Sequence, residues 1–190
     1  MKIIPTELEG VVVLEPKVHR DPRGFFVETF SASRYAEAGI REVFVQDNHS
    51  CSEKDVVRGL HGQLRRPQAK LVRVIRGEIF DVVVDIRRGS PTFGRWTSAH
   101  LSAENFRQIY VPTGFAHGLC VLSESAEVEY KCSDLYDPAD ELRVLWNDPV
   151  IGIDWPTATP KLSAKDLEAT PLAAWWDRLP LYGEPAERGA

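Results

Sequence analysis

The clearest structural signal in the chain is an alternation of apolar and polar positions. From Ala126 to Asp134, Val128, Tyr130 and Cys132 fall on one side and Glu127, Glu129, Lys131 and Ser133 on the other, the two-residue period of a half-buried strand. Tyr130 is therefore aimed inward, where a phenol needs a partner; taken alone, it also fits a core tyrosine bonded to a carbonyl. Gly10 to Glu15 is a β-branched run closed by Pro16 and reads as a strand. Asp21-Pro22-Arg23-Gly24 marks a turn into the aromatic stretch Phe25 to Phe30, where the same period sets Glu28 on the face of Phe26 and Phe30 and turns it inward. Ser31 to Ala38 forms a short helix stopped by Gly39, and Val43 to Asn48 returns to extended structure.

At the centre, Lys70 to Ile75 and Ile79 to Ile86 flank Gly77-Glu78. This predicts a hairpin with a two-residue turn, pairing Arg76 with Ile79, Val74 with Asp81, Val72 with Val83 and Lys70 with Asp85. That register brings Asp81 and Asp85 to the lysine's face; the competing possibility is a solvated outer face. Farther on, His117, Leu119 and Val121 share one face of another strand. The last third is rich in turns, at Trp146-Asn147-Asp148-Pro149 and Asp154-Trp155-Pro156. Ser163-Ala164-Lys165-Asp166 reads as a helix start with an acid at its third position. Thr170-Pro171 opens a short helix carrying Trp175 and Trp176, with the proline in the first helical position. The polar segment 183–190 is expected to be a loose tail. Short strands punctuated by Gly and Pro, few helices and no linker predict one all-β domain over 1–190, a double-sheet jelly roll whose few short helices lie mainly near the C-terminus.

Composition narrows the function classes. The 190 residues are 43% hydrophobic and 27% charged, an ordinary globular balance. A net charge of −5 gives no general pull toward nucleic acid or anionic membrane, so an anionic ligand needs a local cationic cluster. No apolar run reaches membrane-span length, and Met1 to Glu7 is broken by Pro5 too early for a signal peptide, which points to the cytoplasm. Cys51, Cys120 and Cys132 form no C-x-x-C pair and are expected to be reduced and mostly buried.

Candidate chemistry centres on Arg58-Gly59-Leu60-His61-Gly62-Gln63 and on Lys70. An imidazole titrates near neutrality and can take a proton, while an ammonium can hold the negative charge that results. The plainer possibility is a satisfied core histidine and a surface cation. Pro112-x-Gly114-x-x-His117 resembles the second motif of the cupin superfamily, and Gly59 to Gln63 stands where its first motif would. Metal-binding cupins present His-x-His plus an acid there. Here the second histidine is Gln63, and His61 and His117 are too few for a metal site, so no metal is expected.

Seven ordered blocks carry a more specific resemblance: DPRGFFVETF, VQDNHS, RGLHGQ, KLVRVIRGEIFDVVVDIRRGSPTFG, YVPTGFAHGLCVLSE, EYKCSDLY and WNDPVIGIDWP, with LSAKD near the end. Together they make the chain similar, from about Gly10 to Leu172, to the dTDP-4-dehydrorhamnose 3,5-epimerase family. The resemblance implies a cofactor-free, metal-free cupin that inverts C3 and C5 of a dTDP-linked 4-keto-6-deoxy sugar, on the route to dTDP-rhamnose for cell-wall polysaccharide. It implies His61 as base, Tyr130 as acid, Lys70 as oxyanion stabiliser and Asp166 as the carboxylate that orients His61. It further implies Arg23 and Arg58 at the diphosphate, and Glu28, Gln46, Asn48, His117, Glu141 and Lys165 as other ligand contacts. The position after His61, often aromatic in the family, is Gly62, which would leave more room beside the sugar. A homodimer with exchanged N-terminal strands is implied as well. Two other functions stay open: a single-centre epimerase or keto-isomerase on a related dTDP-4-ketosugar, and a non-catalytic sugar-nucleotide-binding cupin.

Overall fold

The computed structural model describes residues 1–184, so most of the expected tail lies outside the described residues. In chain order the strands are β1 (Lys2–Pro5), β2 (Val12–Glu15), β3 (Val18–Asp21), β4 (Gly24–Val27), β5 (Gln46–Glu53), β6 (Val57–Gln63), β7 (Lys70–Arg76) and β8 (Glu78–Asp85). They continue with β9 (Trp96–Ser102), β10 (Gln108–Val111), β11 (Phe115–Val121), β12 (Ser125–Cys132) and β13 (Glu141–Arg143). Two short α-helices, α1 (Ala32–Glu37) and α2 (Ala164–Leu167), and a 3-10 helix (Leu172–Arg178) complete the fold. A six-stranded sheet in the order β1-β2-β10-β7-β12-β5 faces a five-stranded sheet in the order β13-β6-β11-β8-β9, which is the expected jelly roll.

Alternation explains the core. Inward residues of both sheets, among them Val72, Val74, Ile79, Val83, Leu101 and Val128, make one cluster between the layers. Fully burying an aliphatic side chain of this kind is worth ~1.5–3 kcal/mol. The outward residues Val82, Val84 and Leu142 pack instead under the C-terminal segment, against Leu172, Leu179, Trp155 and Trp175. Helix α1 buries Tyr35 against Leu14, Leu71 and Tyr110 on the outside of the other sheet. Both helices start as expected, with Ser31 and Ser163 as N-caps, and Gly39 follows the first at φ +89°.

The central hairpin does not form. β7 lies between β10 and β12, and β8 between β11 and β9, so the chain crosses from one sheet to the other at Gly77 and the predicted pairs are absent. Both strands are buried on both faces, and a pattern without a polar side cannot distinguish a turn within a sheet from a crossing between sheets. Separating the strands gives each of them two hydrogen-bonded neighbours. Gly77 sits at φ +74°, and a Cβ there would lie 2.2 Å from the Ser125 carbonyl oxygen, so the crossing requires glycine. Lys70, Val72 and Asp81 still face the same interior, but from opposite sheets, and Asp81 and Asp85 are fully buried, not solvated. Asp85 turns away from the lysine to accept bonds from Arg87, Ser90 and Thr92.

The N-terminal region departs from expectation too. β3 and β4 pair only with each other, and the strand ends at Val27. With no core beneath this ribbon in its own chain, Phe25 and Phe26 are 58% and 71% exposed. Glu28 does not point inward; it takes a 3.0 Å bond from Arg34 at the surface. Only Phe30 of the aromatic run reaches the interior, beside Tyr35 and Phe44. The C-terminal tryptophan helix is a 3-10 turn with Pro171 as its N-cap and not its first residue. No helix among the described residues is long and apolar enough to cross a membrane.

Candidate active site

A cavity of about 580 Å³ opens between the sheets, lined from β5, β6, β7, β11, β12 and the segment leading into α2. Its geometry depends on a close approach of β6 and β11. Gly59 adopts φ +126°, and a Cβ on it would lie 2.6 Å from the Gly118 Cα. Glycine at both positions lets the strands meet, with a register shift just past His117, and places His61 directly opposite His117.

His61 Nε2 lies 2.5 Å from Asp166 Oδ1. The carboxylate arrives from α2 and is buried, and its other oxygen accepts a 2.8 Å bond from the Ser163 hydroxyl. The Asp166 amide in turn donates to Ser163 Oγ, so the capping motif read from the sequence is also what orients the acid. Burial works to raise the Asp166 carboxyl, but the bond and charge of His61, the Ser163 hydroxyl and the nearby Arg58 outweigh it and hold the group below the usual aspartate range. Asp166 therefore remains anionic and fixes the imidazole, leaving Nδ1 as the nitrogen open to a substrate.

His117 Nε2 lies 3.0 and 2.9 Å from the two oxygens of Asp81. Here burial dominates and raises the Asp81 carboxyl, with His117 and Lys70 opposing. Lys70, 9% exposed, lines the cavity; burial lowers its ammonium, and Cys132, Asp81 and Glu141 pull it back. Tyr130 reaches the cavity from the six-stranded sheet as its alternation required, and burial raises its phenol, which keeps the proton in place. The arrangement sets a histidine base on one sheet across from a phenol and an ammonium on the other. It can abstract a proton beside a carbonyl, stabilise an enolate and return a proton to the opposite face.

Gln46, Asn48, Arg58 and Glu141 also line the cavity. Arg23, Glu28 and Lys165 do not: Arg23 pairs with Asp21 on the β3–β4 ribbon, and Lys165 is a surface cation 3.8 Å from Glu141. Gly62 lines the cavity through its backbone alone. A Cβ there would meet Leu142 Cδ2 at 3.4 Å, on the back of the sheet, because strand alternation sends 61 and 63 toward the cavity and 62 away. A side chain at 62 would therefore start away from the sugar, toward Leu142.

Sequence reasoning missed Tyr136, Lys161 and the use made of Gln63. Tyr136 borders the cavity with its amide on Gln46 Oε1. The Gln63 amide donates to the carbonyls of Arg66 and Leu135 and accepts from the Asp137 amide, so it clasps two loops. The only forewarning of Tyr136 was its place at the end of the EYKCSDLY block. Among the described residues, no group of three or more His, Cys, Asp or Glu side chains is placed to hold a metal. All three cysteines are free; Cys120 and Cys132 are buried and Cys51 is exposed.

Residues 5–174 match the family model described as dTDP-4-dehydrorhamnose 3,5-epimerase. A protein of that name from Shigella flexneri is 54% identical over 88% of this chain and 93% of its own length. Another from Neisseria gonorrhoeae is 56% identical over 88% of this chain, which spans only 51% of that relative. The crystal structure of a dTDP-6-deoxy-D-glucose-3,5-epimerase from Legionella pneumophila Philadelphia 1, in complex with dTDP-4-keto-L-rhamnose, superposes with a TM-score of 0.94 at 49% identity, covering 96% of this chain and 99% of that one. A family match over most of the length, shared with relatives of about half-identical sequence, settles the matter: the chain belongs to the dTDP-4-dehydrorhamnose 3,5-epimerase family.

Proposed function

We propose that this protein is a cytoplasmic isomerase that converts dTDP-4-dehydro-6-deoxy-glucose to dTDP-4-dehydro-rhamnose, inverting C3 and C5 in turn. The observation that carries this is the His61–Asp166 pair facing Lys70 and Tyr130 across one cavity. The C4 ketone acidifies the hydrogens on C3 and C5. His61 Nδ1 takes the C3 proton while Asp166 stabilises the imidazolium, and the electron pair moves onto the ketone oxygen. Lys70 donates a hydrogen bond to that enolate; an oxyanion donor of this kind is worth ~3–4 kcal/mol of barrier. Tyr130 protonates C3 from the other face; once His61 has released its proton to solvent and the Tyr130 phenolate has taken one up, a second round does the same at C5. No hydride moves, so the roles fall entirely on side chains of the cavity.

The N-terminal ribbon supports an assembled form of the same site. Arg23 and Glu28 are remote from this chain's cavity, and Phe25 and Phe26 are exposed beside them. In a homodimer with exchanged N-terminal strands, each ribbon brings these residues to the partner's nucleotide and buries its aromatics there. Eleven of the twelve candidate residues then serve one site, and Lys165 stays on the surface beside Glu141.

Proton NMR in deuterated water with dTDP-4-keto-6-deoxyglucose tests the reaction directly. Deuterium entering at both C3 and C5 with inversion is expected. Label at one carbon alone would identify a single-centre epimerase or keto-isomerase, and dTDP binding without exchange would identify a non-catalytic module.

A further inference from the structure

The cavity has a cation that none of the roles above uses. Lys161 lines it beside Val56, Val57 and Arg58, at the end opposite Gln63 and Glu141. Its backbone is pinned there: the Lys161 amide donates to the Asp55 carbonyl at 2.8 Å, and its carbonyl accepts from the Val57 amide at 3.0 Å, forming a bridge to the start of β6. The position is therefore set by main-chain bonds, one residue from the strand that carries Arg58 and His61. Among the described residues the side chain is held only by Glu53, Nζ to Oε2 3.0 Å, and both groups stand in solvent at 57% and 79% exposure. An ion pair this exposed is worth little and exchanges readily for a more highly charged partner. Arg58, the neighbouring cation, donates to the Ser52 hydroxyl and makes no ion pair among the described residues.

We propose that Lys161 is a second cationic contact for the diphosphate of a nucleoside diphosphate, parked on Glu53 when the site is empty and handed to a phosphate oxygen when it is filled. The inference rests on the reading of the cavity as a sugar-nucleotide site. A cation beside Arg58, neutralised by a labile surface carboxylate, adds from this chain to the charge that Arg23 brings with the exchanged ribbon, because a chain of net charge −5 supplies no general attraction for an anion. Glu53 then competes with the ligand, so removing it should improve binding.

That sign is the test, read by calorimetric titration of the full-length protein with dTDP. Lys161→Gln should weaken dTDP by about two- to fivefold, the range of an exposed charge contact, and Lys161→Arg should restore most of it. Glu53→Gln should tighten dTDP by about twofold, and this gain should vanish when combined with Lys161→Gln. Unchanged or weaker binding in Glu53→Gln, or a gain that persists without Lys161, would overturn the proposal while leaving the sugar-nucleotide site intact. Failure of the unaltered protein to bind dTDP would remove that site itself.

Discussion

Two histidine–aspartate pairs stand side by side on β6 and β11, joined through the same ring nitrogen, yet their surroundings make them chemically opposite. Asp166 comes from outside the sandwich on a capped helical turn, where a serine hydroxyl and its own helix start support the charged form. Asp81 comes from the middle of β8, fully buried, and accepts side-chain bonds only from His117. One carboxyl is held below its ordinary range and the other is driven above it. A carboxylate that stays ionised can steady an imidazolium beside it, whereas a buried one that resists ionisation offers its histidine less countercharge. Identical residue types thus form one pair whose carboxyl favours its charge and one whose carboxyl resists it.

The largest expected effect separates the two histidines. His61→Ala should cost on the order of a hundredfold to ten-thousandfold in exchange at both carbons while dTDP binding stays near normal. His117→Ala should be milder in exchange, and equal losses measured by NMR would erase the distinction between the pairs. Next comes Tyr130→Phe, which removes the donor but preserves ring packing. Deuterium should then wash into the starting sugar faster than inverted product appears, and an unchanged ratio of exchange to inversion would make Tyr130 structural. A third measurement compares the aspartates by unfolding across pH. Asp166, depressed in the fold, contributes stability above the unfolded carboxyl value of about 3.9, and that contribution is lost as pH falls through its lower folded value. Asp81, raised in the fold, contributes fully below about 3.9 and loses that contribution as pH rises through its folded value. Asp166→Asn should therefore flatten the gain in stability between acid and neutral pH, and Asp81→Asn should steepen it; shifts of the same sign would refute the contrast. The smallest effect belongs to Gly62→Ala. Its Cβ meets Leu142 at ordinary contact distance, so stability should change by less than about 1 kcal/mol and the choice of sugar not at all. Altered substrate preference in that variant would show that position 62 acts on the sugar through more than its backbone.

Much of this was legible in the chain itself. The alternation around Tyr130, the capping box ending in Asp166 and the strand carrying His117 each follow from local chemistry, and each appears where its period or cap required. The central strands escaped because Lys70 to Arg76 and Glu78 to Asp85 carry apolar residues on both sides, so periodicity could assign their faces but not their neighbours. Glu28 escaped because alternation presumes a core under the strand, and the β3–β4 ribbon has none within its own chain. Lys161 left no trace in any pattern, since a loop residue fixed by main-chain bonds carries no period.

The crossing at Gly77 bears finally on how the molecule comes to exist at all. From β5 through β8 successive strands go alternately to one layer and the other, so none of these four pairs with the next one along the chain. β7 must wait for β10 and β12, and β6 for β11 and β13. High contact order of this kind slows folding and leaves partial structures with unpaired edges. His61 and Lys70, nine positions apart along the chain, share an interior only after strands from the later half have threaded between their neighbours. During synthesis, therefore, a ribosome-bound fragment ending before β11 has His61 and Lys70 in hand and no cavity to put them in, so the site arrives all at once with the closing strands.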